Sequence, residues 1–327
     1  MKAKRLLTVI GLHYMSASLW LVVSVIGLVA LSLFAGCSDD EPAPGADSGL
    51  GGTIIGDGSS TVYPLTVAVA DAFDELHPGV HLVVGLRGTG TIGGFEGFCA
   101  GRTDFANASR TMNQDEQDLC EKNDVDYTEL QVAYDGLSVV VHPSSDFVDC
   151  LTVEELRAIW EPGSEITNWA QVRPGFPDKE LNLYGPGRSG THDYFTSVIV
   201  GEEGSSRPDY SSNEYETRLA ERVGNDPGAL GYFGFGHYER NQEHLRLVAV
   251  DDGGGCVAAS HETILDANYS PLSRPLYVYV AQRALEREEV AEFMRFYLRE
   301  TPALVNELGF VPASDGVYSE GLSRLPE

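Results

Sequence analysis

The chain has 327 residues and a formal charge of −27 at pH 7, from 49 Asp and Glu against 22 Lys and Arg. Negative charge on this scale argues against nucleic acid, or an anionic membrane surface, as a partner. The acidic surface reads most simply as a solubility feature.

The first 36 residues read as an export signal. Lys2, Lys4 and Arg5 precede a largely apolar stretch from Leu19 to Ala35. That stretch approaches the roughly 20 residues of a membrane span, but it ends in Phe34-Ala35-Gly36-Cys37. Small residues directly before a cysteine are what a bacterial lipoprotein cleavage site requires, although Phe34 stands where Leu is usual. The expectation is cleavage before Cys37, a lipid on Cys37 as the only membrane attachment, and a flexible Asp-, Pro- and Gly-rich tether over 37–52. Removing Lys2, Lys4 and Arg5 takes the charge to −30, and about 275 residues remain from position 53 onward, enough for two lobes.

Strands are predicted at 53–56, 81–86, 129–133, 137–142, 181–184, 229–233, 247–250 and 276–280. Helices are predicted near 64–76, 92–101, 113–122, 152–160, 190–200, 211–222, 260–267 and 286–299. This alternation predicts an α/β fold with largely parallel sheets. Leu65, Val69, Phe73 and Leu76 form one face of the first helix. The helical pattern from Glu286 to Glu300 carries both charges on its polar face and reads as solvated surface.

Three turns from strand to helix share a chemistry. They are Gly58-Ser59-Ser60-Thr61-Val62-Tyr63-Pro64, Gly88-Thr89-Gly90-Thr91-Ile92-Gly93-Gly94 and Gly185-Pro186-Gly187-Arg188-Ser189-Gly190-Thr191. A helix N-terminus offers unpaired N–H groups and the positive end of the helix dipole, and Ser and Thr add hydroxyl donors. One such turn is ordinarily only an N-cap. Three together suggest a single oxyanion held by several helix ends, by neutral dipoles that local geometry makes stronger than screened surface charge.

These turns and the segments around them resemble a known family. The runs GSSTVYPL, GFCAGRTDFANASR (Gly97 to Arg110), GPGRSGTHDYF (Gly185 to Phe195), GALGYFGFGHYE (Gly228 to Glu239) and LSRPLYVYV (Leu272 to Val280) are similar, in the same order over roughly 53–312, to the PstS family of periplasmic phosphate-binding proteins of ABC importers. The resemblance implies the two-lobed periplasmic binding protein fold of type II, with the ligand cleft between the lobes. Lobe one would be 53–135 plus 260–327 and lobe two 136–259, inserted between them. The crossovers near Asp135-Gly136 and Ser260 would act as the hinge. It also implies a monomer without cofactor or catalysis, whose partners are inorganic phosphate, an ABC permease and its ATPase.

By family position, the ligand donors would be Ser60, Thr61 and the Val62 amide, then Thr91 in place of a serine common in relatives, then Ser189, Gly190 and Thr191. Some relatives place an arginine where this chain has Gly185. The Ser109-Arg110 pair, which many relatives share, makes Arg110 the candidate guanidinium, with Arg188 second. Phosphate near neutral pH keeps a proton that sulfate lacks, so a carboxylate acceptor would separate the two. Asp135 is favoured for this over Asp104, while Asp193 reads as a dipole partner in the first turn of its helix. A Cys99–Cys120 disulfide follows from the pair's presence in relatives, and Cys150 and Cys256, both in the inserted lobe, are candidates for a second.

Other classes fit less well. Two of the turns match GxGxxG literally, but the acidic residue of a dinucleotide site is missing from a second strand end. No Gly-Lys-Ser/Thr phosphate loop is present. Ser189 lacks a nucleophile elbow, and His77, His81, His142, His192, His237, His244 and His261 show no metal-ligand spacing. Sulfate, molybdate or tungstate binding, and a transporter-independent sensor or adhesin, are the alternatives the residues leave open.

Overall fold

The computed structural model describes residues 49–85, 89–213 and 215–326. The predicted export signal, Cys37, most of the tether and Gly88 lie outside them. β1 (Gly52–Gly58) turns alternate residues inward, as a strand with one face on a core must. α1 (Tyr63–Leu76) has Pro64 in its first turn, where a missing N–H costs no hydrogen bond, and buries Leu65, Val69 and Phe73. Leu76, expected on that face, is exposed, because the helix ends there, past the edge of the core.

β2 (Val80–Val84), α2 (Gly90–Cys99), β3 (Phe105–Ala108) and α3 (Gln114–Lys122) follow. β4 (Tyr127–Val141) is one continuous strand where two were expected, because Gly136 keeps its pairing, opposite Ser273. Next come β5 (Cys150–Thr152), α4 (Val153–Trp160), α5 (Trp169–Val172) and β6 (Asn182–Pro186). α6 (Gly190–Phe195) runs on into a π-helical turn over Thr196–Val200. The helix expected from 211 is instead β7 (Ser211–Asn213) and then α7 (Glu216–Asn225). Ser211-Ser212-Asn213 has no apolar side chain to bury on a helix and pairs with β6. β8 (Ala229–Gly234), α8 (Phe235–Glu239), β9 (Arg246–Asp251), β10 (Cys256–Val257) and α9 (His261–Leu265) lead to β11 (Ser273–Ala281). α10 (Gln282–Leu285), α11 (Glu288–Leu304) and α12 (Asp315–Ser323) close the chain.

The sheet order is β2-β1-β3-β11-β4-β8-β6-β7, with β9 joining β4, β5 and β10 off that path. The pairings are not largely parallel. β1 pairs in parallel with β2 and β3, as β6 does with β7 and β8. β4, however, runs antiparallel to β11, β8 and β9, and β11 antiparallel to β3.

Two large cores flank β4. Leu130, Val132 and Ala133 pack in the first with Phe73, Phe95, Phe105, Tyr279 and Phe293. Leu137, Val139 and Val141 pack in the second with Trp160, Trp169, Phe195 and Tyr232. Ile264, Tyr269 and Leu272 also belong to the second core, so the chain returns to the first only as β11 begins. Both expected disulfides are present: Cys99–Cys120 ties α2 to α3, and Cys150–Cys256 ties β5 to β10. Among the described residues, no helix is long and apolar enough to cross a membrane.

Candidate functional site

Two adjoining cavities open where the cores meet, and both are lined by Ser60, Thr61, Gly190, Asp193 and Glu203. The smaller, of 540 Å³, also reaches Thr91, Ser109, Arg110 and Arg274. The larger, of 810 Å³, reaches Asp135, Arg188, Ser189, Thr191, Glu216 and His237. Apart from Val62, whose side chain is in the first core, and the alternative acceptor Asp104, every residue expected to bind the anion lines this space.

The first turn is not spent on capping. α1 begins after Val62 with no side chain bonded to its end. The Thr61 hydroxyl instead accepts from Arg274 Nη2 at 2.8 Å. The third turn abuts the first: a Cβ on Gly190 would lie 2.5 Å from Thr61 Oγ1 and 2.6 Å from its Cα. Only glycine permits that approach. Ser189 does act as a cap, accepting from His192 N at 3.3 Å, and Asp193 sits in the first turn of α6 as expected. In the second turn Gly90 has φ +77, a left-handed backbone suited to glycine. Thr91 Oγ1 pairs with Ser109 Oγ at 3.1 Å and accepts from Ser109 N at 3.2 Å.

Asp135 is 2 % exposed, at the point on β4 where one core gives way to the other. Burial pushes its carboxyl above the ordinary carboxylate range, and Arg274, donating from Nε at 3.2 Å and Nη2 at 3.1 Å, offsets only part of that rise. Arg274 also lies 3.6 Å from the centre of the Tyr194 ring, a close cation–π contact. The other acceptor candidate, Asp104, lines neither cavity; it accepts from Ile55 N and pairs with Arg287 at 2.6 Å. Arg110 is held by Glu116 through two bonds of 2.7 Å, and Arg188 is exposed at the rim of the larger cavity.

Two charged residues of the site carried no assignment in the sequence. Arg274 stands within LSRPLYVYV, but its partner Asp135 is 139 positions away and is brought opposite it only by the pairing of β11 with β4. Glu216 lies within the helix expected near 211–222 and was not singled out. It accepts from Gly234 N at 2.8 Å, and burial pushes its carboxyl up. No signal short of the fold marks it.

A family model described as a PBP superfamily domain matches residues 43–301. The chain is 46% identical over 268 residues to Protein SphX of Synechocystis, covering 81% of this chain and 79% of that one. It is 36% identical over 286 residues to the phosphate-binding protein PstS of Staphylococcus saprophyticus, covering 86% and 87%. The crystal structure of a possible phosphate-binding protein from Planctomyces limnophilus superimposes with a TM-score of 0.80 at 41% identity, covering 84% of this chain and 98% of that one. The two cores joined by β4, the cleft between them and these relatives agree: the chain belongs to the PBP superfamily and, within it, to the PstS family, with the two-lobed binding-protein fold.

Proposed function

We propose that this protein captures inorganic phosphate in the cleft and delivers it to an ABC permease outside the cytoplasm, as a solute-binding protein and not an enzyme. The observation that carries the reading is the meeting of the α1 and α6 turns at Thr61 and Gly190, beside the buried Asp135–Arg274 pair. The Ser60, Thr61, Ser189, Gly190 and Thr191 groups and the Val62 amide would donate to the anion from two sides, with Thr91 and Ser109 completing the shell from a third. Arg110 and Arg188 stand at the edges, placed to swing inward on closure.

Asp135 is the acceptor this arrangement supports. Burial raises this carboxyl on balance, but Arg274 opposes that rise and stabilises the carboxylate, the form that can accept the P–OH of monohydrogen phosphate. Sulfate would face that carboxylate without a proton to share, at a cost of several kcal/mol or more. Relatives whose own names record phosphate binding support the same ligand.

The lobes would divide near Asp135–Gly136 and, given the packing of Ile264, Tyr269 and Leu272, near Leu272–Ser273 in place of Ser260. Lipidation at Cys37 would hold a monomer at the membrane through a tether. Calorimetric titration tests the ligand, using protein unfolded and refolded to strip bound anion. Tight one-to-one binding of phosphate with no response to sulfate, molybdate or tungstate is expected. Preference for one of these would sink the acceptor role of Asp135.

A further inference from the structure

Thr61 is buried, at 6 % exposed, and lines both cavities. Its hydroxyl accepts from Arg274 Nη2 at 2.8 Å. A guanidinium can only donate, so this contact occupies a lone pair and leaves the hydroxyl hydrogen for another acceptor. Among the described residues, no group takes that hydrogen. The same Nη2 donates to Asp135 Oδ2 at 3.1 Å. Arg274 thus stands between the Thr61 hydroxyl and the carboxylate that would compete for its hydrogen.

Two contacts hold the guanidinium in this place. Its Nε donates to Asp135 Oδ2 at 3.2 Å, and it stacks 3.6 Å from the centre of the Tyr194 ring. That ring is itself fixed, because the Tyr194 hydroxyl donates to Pro271 O at 2.7 Å. Val62 and Leu65, beside Thr61, pack in the first core, whereas Tyr194 on α6 packs in the second. Arg274, near the start of β11, therefore touches groups from both. Resting on the phosphate reading above, we infer that Arg274 is a positioning residue for the anion: it turns the Thr61 hydrogen into the cleft, and the Tyr194 ring keeps it placed to do so. It acts through Thr61 and not by contact with the ligand. Without it, the Thr61 hydroxyl is drawn to the Asp135 carboxylate, and one donor and one acceptor are lost to the anion together.

The experiment is a double-mutant cycle read by calorimetric titration of phosphate into the full chain, stripped of bound anion. With Arg274 present, Thr61→Val should lower phosphate affinity at least about tenfold, the scale of one hydrogen bond to a charged group. In Arg274→Met the same substitution should cost less than about threefold, and comparison within one background cancels whatever the loss of Arg274 does to Asp135. Arg274→Gln, also uncharged, should behave in the same way and serves if Arg274→Met does not fold. Arg274→Lys, which can only donate, should restore a Thr61→Val cost near about tenfold. An equal cost of Thr61→Val with and without Arg274 would overturn this inference alone, because Arg274 would then touch the anion itself or only support the fold. A cost below about threefold in the otherwise unmodified protein would do the same. No phosphate binding by the unmodified protein would overturn the underlying reading with it.

Discussion

Gly190 and Thr61 lie so close that a single methyl group at position 190 would come within 2.7 Å of the Thr61 backbone nitrogen. The two residues are 129 positions apart and belong to turns at the N-termini of different helices. Each turn alone is ordinary. Their contact brings two sets of donors onto one volume.

Gly190→Ala should therefore separate the turns without unfolding either core. The added Cβ meets backbone, which cannot rotate away, so the α6 turn must shift. A phosphate affinity lowered at least tenfold, with far-ultraviolet circular dichroism unchanged, is the expected result of titrating this variant.

Arg110 is engaged with Glu116, and Glu116 is at the same time the partner of Asn113 in the capping box of α3. If the guanidinium swings to the anion on closure, Arg110→Ala should reduce phosphate affinity at least tenfold, the scale of one charge-assisted bond. Its thermal midpoint should change little, because Arg110 is 40 % exposed where it meets Glu116. Unchanged affinity would remove Arg110 from the site.

Arg274→Met leaves Asp135 buried without its counter-charge. Burial already raises this carboxyl in the folded state, and losing Arg274 raises it further. The folded variant then holds a proton that the unfolded chain releases above the ordinary carboxylate range. Stability must fall as pH rises between that range and the raised folded value. Thermal midpoints measured from acid to neutral pH should show the gap between Arg274→Met and the unmodified protein widening upward in pH.

His237 works in the opposite direction. Burial and the neighbouring Arg240 lower it from 6.5 to about 4. The unfolded chain therefore binds a proton that the folded protein refuses. This contribution is fully present above the ordinary histidine value and is lost as pH falls from 6.5 toward about 4. It amounts to about 3 kcal/mol across the window, at 1.36 kcal/mol per unit. His237→Gln should show a flatter stability profile there by denaturant titration.

Much of this was legible in the chain itself. The glycine and hydroxyl turns, the alternation of strands and helices, and both cysteine pairs follow from local pattern or from resemblance to a family. The misses share a cause. The continuity of β4 depends on Ser273 lying opposite Gly136, and the brief β7 on an available edge of β6. Both are tertiary facts that propensity does not carry. The charged pair where the two cores meet fails for the same reason: Asp135 was singled out, but Arg274 only becomes its partner through the register of β11 on β4. Arg110 was identifiable only through the Ser109-Arg110 pair shared with relatives, and its partner Glu116 had to be seen.

The most direct measurement is a crystal structure of the stripped protein after addition of phosphate. The account predicts one tetrahedral density between the α1 and α6 turns, within hydrogen-bond distance of Thr61 and Gly190 and of an Asp135 oxygen. Density at another place, or a cleft that stays empty at saturating phosphate, would contradict it.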